Sequence, residues 1–123
     1  MVGYVTVGTN DLQRAARFYD ELLAVLGGKR AMEMETFIAW AGGAGGGGMM
    51  SVILPYDKKA ATVGNGVMVA LATTSKEQVA AVHKKALELG GKDEGAPGPR
   101  GDGFYAAYFR DLDGNKLNAF FLG

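Results

Sequence analysis

Cysteine is absent from this 123-residue chain. Its absence excludes disulfides, thiolate zinc sites, thiolate-held iron–sulfur clusters and a cysteine nucleophile. Histidine occurs once, at His83, so no site can draw two imidazoles from one chain, and a Ser–His pair has a single possible base. Charge of one sign is also missing. Lys plus Arg is 13 and Asp plus Glu is 13, and without a basic excess to neutralise phosphates neither nucleic acid nor an anionic membrane is an expected partner. No apolar run approaches the ~18 residues of a membrane span. The alternating start Met1–Val7 has no basic segment of the kind that opens a secretion signal, and a cytoplasmic protein is the expectation. What is present is ordinary for a globular protein: 48% hydrophobic and 21% charged residues. A chain of this size buries roughly two-thirds of its unfolded surface. That supports one core, and a single domain over 1–123 is expected.

In the opening stretch Val5 and Val7 point one way and Tyr4 and Thr6 the other, the period-2 pattern of a strand with one apolar face. Asn10 is the expected N-cap of a following helix, with Asp11 adding negative charge at its positive end. Leu12, Ala15, Tyr19, Leu22, Leu23 and Leu26 recur at three- and four-residue steps, and Gly27-Gly28 ends the pattern. Residues 30–41 read as strand broken by a turn, with Phe37, Ile38 and Trp40 in the stronger part. The run Gly42–Gly48, interrupted by Ala44, is too permissive for regular structure. Its Gly43-x-Gly45-x-x-Gly48 spacing lacks the helix and downstream acid of a dinucleotide site, which leaves a hairpin loop. Residues 49–54 restart a strand that Pro55 ends.

The second half repeats the first. Residues 67–72 form a strand, Ser75 and Gln78 resemble a capping box, and Val79, Val82, Ala86 and Leu89 line a helix. Leu26-Gly27-Gly28-Lys29 recurs as Leu89-Gly90-Gly91-Lys92. Residues near 92–95 hold the weakest strand signal, and 95–103, with Gly, Pro and Asp, are expected to be loop. Strands over 104–110 and 116–122 flank Asp111-Leu112-Asp113-Gly114-Asn115, a hairpin connection with Gly114 supplying positive φ. A repeat at this scale decides the fold. The expectation is an α+β protein with two βαβββ repeats, about 1–56 and about 65–123. They form a curved mixed sheet around a groove, with the helices on the outer face.

Several features carry a resemblance: the strand entering Asn10-Asp11-Leu12, the Phe18-Tyr19 pair, and Leu-Gly-Gly closing both helices. Gly95-Ala96-Pro97-Gly98-Pro99-Arg100 and the closing Phe109-Arg110-Asp111-Leu112-Asp113-Gly114-Asn115 add to it. With these the chain resembles the vicinal oxygen chelate superfamily of glyoxalase I, bleomycin-resistance proteins and extradiol dioxygenases. The resemblance implies a groove whose metal-using members place His, His and Glu on the first strand of each repeat and on the last strand. Those positions fall here on Tyr4, Met68 and Asn118, and a fourth would fall within 49–54, which holds no carboxylate, Gln or His. A phenol, a thioether and an amide do not replace two imidazoles and a carboxylate, so no metal and no cofactor are expected.

Alternation alone places the same three residues on one face. Tyr4 opposes Val5 and Val7, Met68 opposes Val67 and Val69, and Asn118 opposes Leu117 and Ala119. The expected ligand-binding set is Tyr4, Met68 and Asn118, with Tyr4 and Met68 approaching across the repeat axis and Arg100 at the rim. Either Tyr105 or Tyr108 joins it, depending on a register the sequence leaves open. His83 reads as a structural helix residue, Trp40 as a core or dimer contact, Arg110 as a partner of the Asp-rich turn, and Asp111 and Asp113 as turn formers. These readings favour a metal-free protein that binds a small molecule. The alternatives are a metal-dependent lyase or dioxygenase of the same superfamily, and a plain interaction module. A homodimer is expected, because Phe37, Ile38, Trp40, Met49 and Met50 exceed the need of one small core and short chains of the resembled family commonly pair.

Overall fold

Strand, helix and three strands follow one another twice, as the repeat implies. In a computed structural model describing residues 1–43 and 47–123, the first half contains β1 (Tyr4–Gly8), α1 (Leu12–Ala24), β2 (Lys29–Glu33), β3 (Phe37–Ala41) and β4 (Met49–Ile53). The second contains β5 (Val69–Ala72), α2 (Lys76–Glu88), β6 (Lys92–Pro99), β7 (Phe104–Arg110) and β8 (Lys116–Leu122). Residues 44–46, part of the glycine run expected to be a hairpin loop, lie outside the described residues. Among the described residues no helix is long and apolar enough to cross a membrane.

Both helices stop in the same way. Gly27 and Gly90 adopt left-handed φ of 83° and 98°, and the next amides, Gly28 and Gly91, each donate at 2.8 Å to a helix carbonyl, on Leu23 and Ala86. The starts differ from expectation at one point. The N-cap of α1 is Asp11, whose carboxylate accepts from the Arg14 amide. Asn10 is drawn away, because its side-chain oxygen accepts from the Ala61 amide at 2.6 Å and tethers the inter-repeat loop. Ser75 caps α2 through the Gln78 amide, and the Gln78 side chain reaches back to the amide of Thr74.

Hydrogen bonding divides the strands into two four-stranded sheets, β1-β4-β3-β2 and β5-β8-β7-β6. In each the first strand runs parallel to the last of its repeat and the remaining pairs are antiparallel. The stretch 95–99, expected to be loop, is instead the second part of β6. It is the outermost strand of its sheet, with register shifts around Gly95. An edge strand has one side free of ladder bonds, and that tolerates Pro97 and Pro99, which lack N–H groups.

One face of each sheet packs on its helix. Val7, Ile38, Trp40 and Val52 from the first sheet, and Leu71, Phe109, Leu117 and Ala119 from the second, join the buried stripes of α1 and α2 in one core. Each such large apolar side chain contributes about 1.5–3 kcal/mol when fully buried. A polar seam ties the halves. The buried Tyr19 hydroxyl donates to Asp111 at 2.6 Å, and Asp111 also accepts from the amides of Asp113 and Asn115 and from the Asn115 side chain. Asn115 in turn donates to the Gly8 carbonyl at 2.9 Å, joining the β7–β8 turn to the end of β1. Burial, followed by the charge of Asp111, pushes the Tyr19 phenol well above its ordinary range, so it stays a donor.

Candidate functional site

The faces turned away from the helices hold the candidate site, and register defines them. On the first sheet Thr6 pairs with Ser51 and Ser51 with Ala39. On the second Ala70 pairs with Asn118 and Asn118 with Tyr108. Ser51 and Asn118 therefore occupy matching places, each near the middle of its repeat's last strand and beside the repeat's first strand. Both are buried, at 0% and 1% exposure. Each also carries a buried polar atom without a hydrogen-bond partner, Ser51 Oγ and Asn118 Oδ1. Leaving such an atom unpaired costs about 1–3 kcal/mol, and native folds keep few of them. The two stand at equivalent points of the two sheets.

The other predicted residues divide between faces. Tyr4 stands on the open face of the first sheet, 57% exposed, with its ring edge-on to Phe37 at 6.0 Å. Met68 directly precedes β5 and is 40% exposed. Tyr108 faces the open side beside Asn118, whereas Tyr105 packs against the helix-side core under the Lys76 ammonium. Alternation along β7 separates the two tyrosines by an odd number of residues, so they cannot share a face. Tyr105 accordingly drops out of the ligand-facing set. Arg100 folds back over Tyr108, its guanidinium carbon 5.6 Å from the ring centre.

Two further polar residues of these faces lie outside the set expected from the sequence. Ser51 had a signal, as the one polar residue of Met-Met-Ser-Val-Ile. Lys116, two residues before Asn118 and so on the same face, places its ammonium 5.5 Å from the Tyr108 ring centre. Its signal was its place in the alternation of the last strand.

A cleft of about 380 Å³ runs between the first sheet and β5, lined by Val5, Leu26, Trp40, Met50, Met68 and Leu71 among others. Of the predicted set only Met68 borders it; Tyr4 and Asn118 do not. The cleft penetrates to the helix-side core and reaches the open side at Met68 and Ala70, the latter paired with Asn118.

The donor set does not suit the divalent metal of the family's metal-using members. The open-face candidates are Tyr4, Ser51, Met68 and Asn118, which offer hydroxyls, a thioether and an amide in place of imidazoles and carboxylates. Among the described residues no three His, Asp or Glu side chains cluster to hold an ion.

The remaining readings resolve within the fold. His83 is buried, and its Nε2 lies 3.0 Å from Asp93 on the next strand. Trp40 is core, donating to Asp20 at 2.8 Å. Arg110 pairs with Glu94 at 2.8 Å and reaches the turn only through the Gly114 carbonyl; it is Arg14 that pairs with Asp113. The apolar surplus held to favour a dimer is largely absorbed, since Ile38, Trp40 and Met50 are buried within one chain.

Paired βαβββ units with their helices on one side and two polar-centred sheet faces on the other define a class of proteins. This chain matches the Glyoxalase/Bleomycin resistance protein/Dioxygenase superfamily over residues 1–119 and belongs to that family. A glyoxalase/bleomycin resistance protein from Albidiferax ferrireducens is 36% identical, with a TM-score of 0.87 over 98% of this chain and 97% of that one. A hypothetical protein from S. aureus is 25% identical, with a TM-score of 0.74 over 98% and 92% of the two chains. A lactoylglutathione lyase from Agrobacterium tumefaciens is 17% identical, with a TM-score of 0.70 over 98% and 92%, a likeness of fold alone. No curated protein matches this chain.

Proposed function

We propose that the chain is a small-molecule-binding member of its superfamily that holds its ligand on the open sheet faces without a metal. The observation that carries this reading is the pair of buried, partnerless atoms, Ser51 Oγ and Asn118 Oδ1. Both atoms are covered in the free protein, and a ligand that parts the side chains over them and supplies their hydrogen bonds recovers a penalty the fold alone leaves standing. Tyr4, Tyr108 and Met68 give the aromatic and adaptable apolar surface around them. Native mass spectrometry of protein purified from cells tests the reading, with a retained small molecule expected from the parent. Asn118→Ala should weaken retention by about 1–3 kcal/mol. Undiminished retention in that variant, checked for folding, removes Asn118 from the site.

Dialysis against Zn, Ni, Mn and Fe followed by elemental analysis tests the metal-free part. One tightly held ion per chain would overturn it and favour a metal-dependent lyase or dioxygenase. The chain is further proposed to pair with a second copy through exposed apolar residues at the first-strand ends, Val2, Tyr4, Val67 and Met68. Sedimentation at micromolar concentration should then give twice the 12.9 kDa of one chain, and a monomer throughout that range would refute pairing.

A further inference from the structure

The stretch Gly95-Ala96-Pro97-Gly98-Pro99-Arg100 does more than form an edge. Neither Gly95 nor Gly98 has a left-handed φ, so backbone conformation does not require glycine at either position. What matters is the missing Cβ. At Gly98 it would stand 2.9 Å from Arg100 Nη1, and at Gly95 it would stand 3.3 Å from Nη2 and 3.2 Å from Tyr108 Cδ1. The two glycines clear a bed on β6 into which the guanidinium folds. There Nη2 donates to the Ala96 carbonyl at 2.6 Å and Nη1 to the Pro99 carbonyl at 3.3 Å. The remaining N–H groups of the planar fork are left for another acceptor.

Three of the five arginines are neutralised by carboxylates, while Arg17 and Arg100 form no such pair among the described residues. Arg14, Arg30 and Arg110 each pair with a carboxylate, at 3.3, 2.7 and 2.8 Å. Among the described residues neither Arg100 nor Lys116 forms such a pair, though both stand over the Tyr108 ring. Glu94, the carboxylate that senses Lys116, is taken by Arg110. The result is two cations on one aromatic ring, directly across the strand pair from the partnerless Asn118 Oδ1.

We propose that this face of the second sheet is an anion seat. Arg100 and Lys116 take the carboxylate, phosphate or sulfonate end of a small organic molecule, whose remainder lies along the Tyr108 ring. The inference rests on the small-molecule reading above and adds the ligand class: organic anions are selected over neutral molecules of the same shape. A guanidinium already fixed by its bed loses little freedom on binding, which favours affinity.

Fluorescence titration with anilinonaphthalene sulfonate and with phenylnaphthylamine, its counterpart without the sulfonate, tests the proposal. The parent should bind the sulfonate dye roughly ten-fold or more tightly than the neutral one, with the preference shrinking as salt is added. The double variant Arg100→Gln with Lys116→Gln, folded by circular dichroism, should bring the two dyes level while keeping the affinity for the neutral dye. Gly98→Val keeps both charges but crowds the guanidinium off its bed, and should lose most of the preference. Equal binding of both dyes by the parent overturns the anion seat and leaves the small-molecule reading standing. A preference that survives the double variant, or a folded Gly98→Val, overturns the assignment to this bed. Failure of the parent to bind either dye overturns both readings together.

Discussion

The two sheets share strand order, parallel first pairs and helix stops, yet they present different chemistry. The centre of the first sheet's open face carries the neutral Tyr4, Thr6, Ser51 and Phe37, with Lys29 out on its edge strand, where the second carries Tyr108 and Asn118 with Lys116 and Arg100 beside them. The same divergence appears at the helix-to-strand latch. Asp20 of α1 grips Arg30 of β2 ten positions on, and His83 of α2 meets Asp93 of β6 ten positions on. The spacing is kept and the acidic member has changed sides. Apolar periodicity and the glycine stops preserve the architecture, because many contacts depend on them together. Polar positions depend on one or two partners and are free to differ once a partner changes with them.

The largest effect is expected at the seam both halves share. Asp111→Ala strips the acceptor from Tyr19, Asp113 and Asn115 together and should cost about 3–5 kcal/mol. Urea unfolding measures it, and a loss under about 1 kcal/mol would show that the halves hold together without this carboxylate.

The two latches come next. Asp20→Ala leaves Arg30 with Glu33 alone and the Trp40 indole N–H without its acceptor, and should cost about 1 kcal/mol, since solvent screens the partly exposed ion pair. Asp93→Ala should cost less, because its carboxylate stands in water beside a single imidazole and the Gly95 amide. A larger loss for Asp93 than for Asp20 would reverse the comparison.

Acid sharpens it further. The Arg30 guanidinium holds the Asp20 carboxyl below its ordinary range, against an opposing push from burial and with help from the Trp40 N–H. The folded value therefore lies below the unfolded one. The stabilisation is present in full above the unfolded carboxylate range near 3.9 and is lost as pH falls through the folded value. Asp93 is lowered as well, by the Gly95 amide first and His83 second. Urea midpoints taken from pH 6 down to pH 2.5 should fall, and fall less steeply in Asp20→Asn. A variant curve parallel to the parent's would refute the assignment of that acid sensitivity.

The smallest effect is expected at Ser51. Its hydroxyl has no partner in the fold, so Ser51→Ala should leave stability within about 0.5 kcal/mol or raise it slightly. A clear loss in thermal unfolding would reveal a structural role for the hydroxyl and weaken its assignment to a ligand.

Much of this architecture is written locally. Alternation in Tyr4–Gly8, the three- and four-residue steps before Gly27 and Gly90, and the Asp-rich turn each act over a few neighbours, and those elements form where their periodicity places them. Alternation also put Tyr4 and Asn118 on the faces away from the helices. Other features depended on contacts distant in sequence. Asn10 lost the cap because Ala61 claimed its side chain, and 95–99 became strand because β7 offered an edge to pair with. The faces taken by Tyr105 and Tyr108 were fixed by pairing with β8. Ser51 and Asn118 became partnerless, and Arg100 came to rest over Tyr108, only when the sheets assembled. Periodicity is a property of neighbours along the chain and is readable there. Register, burial of a polar atom and the resting place of a long side chain are set by partners across the sheet, and those exist only in the tertiary structure.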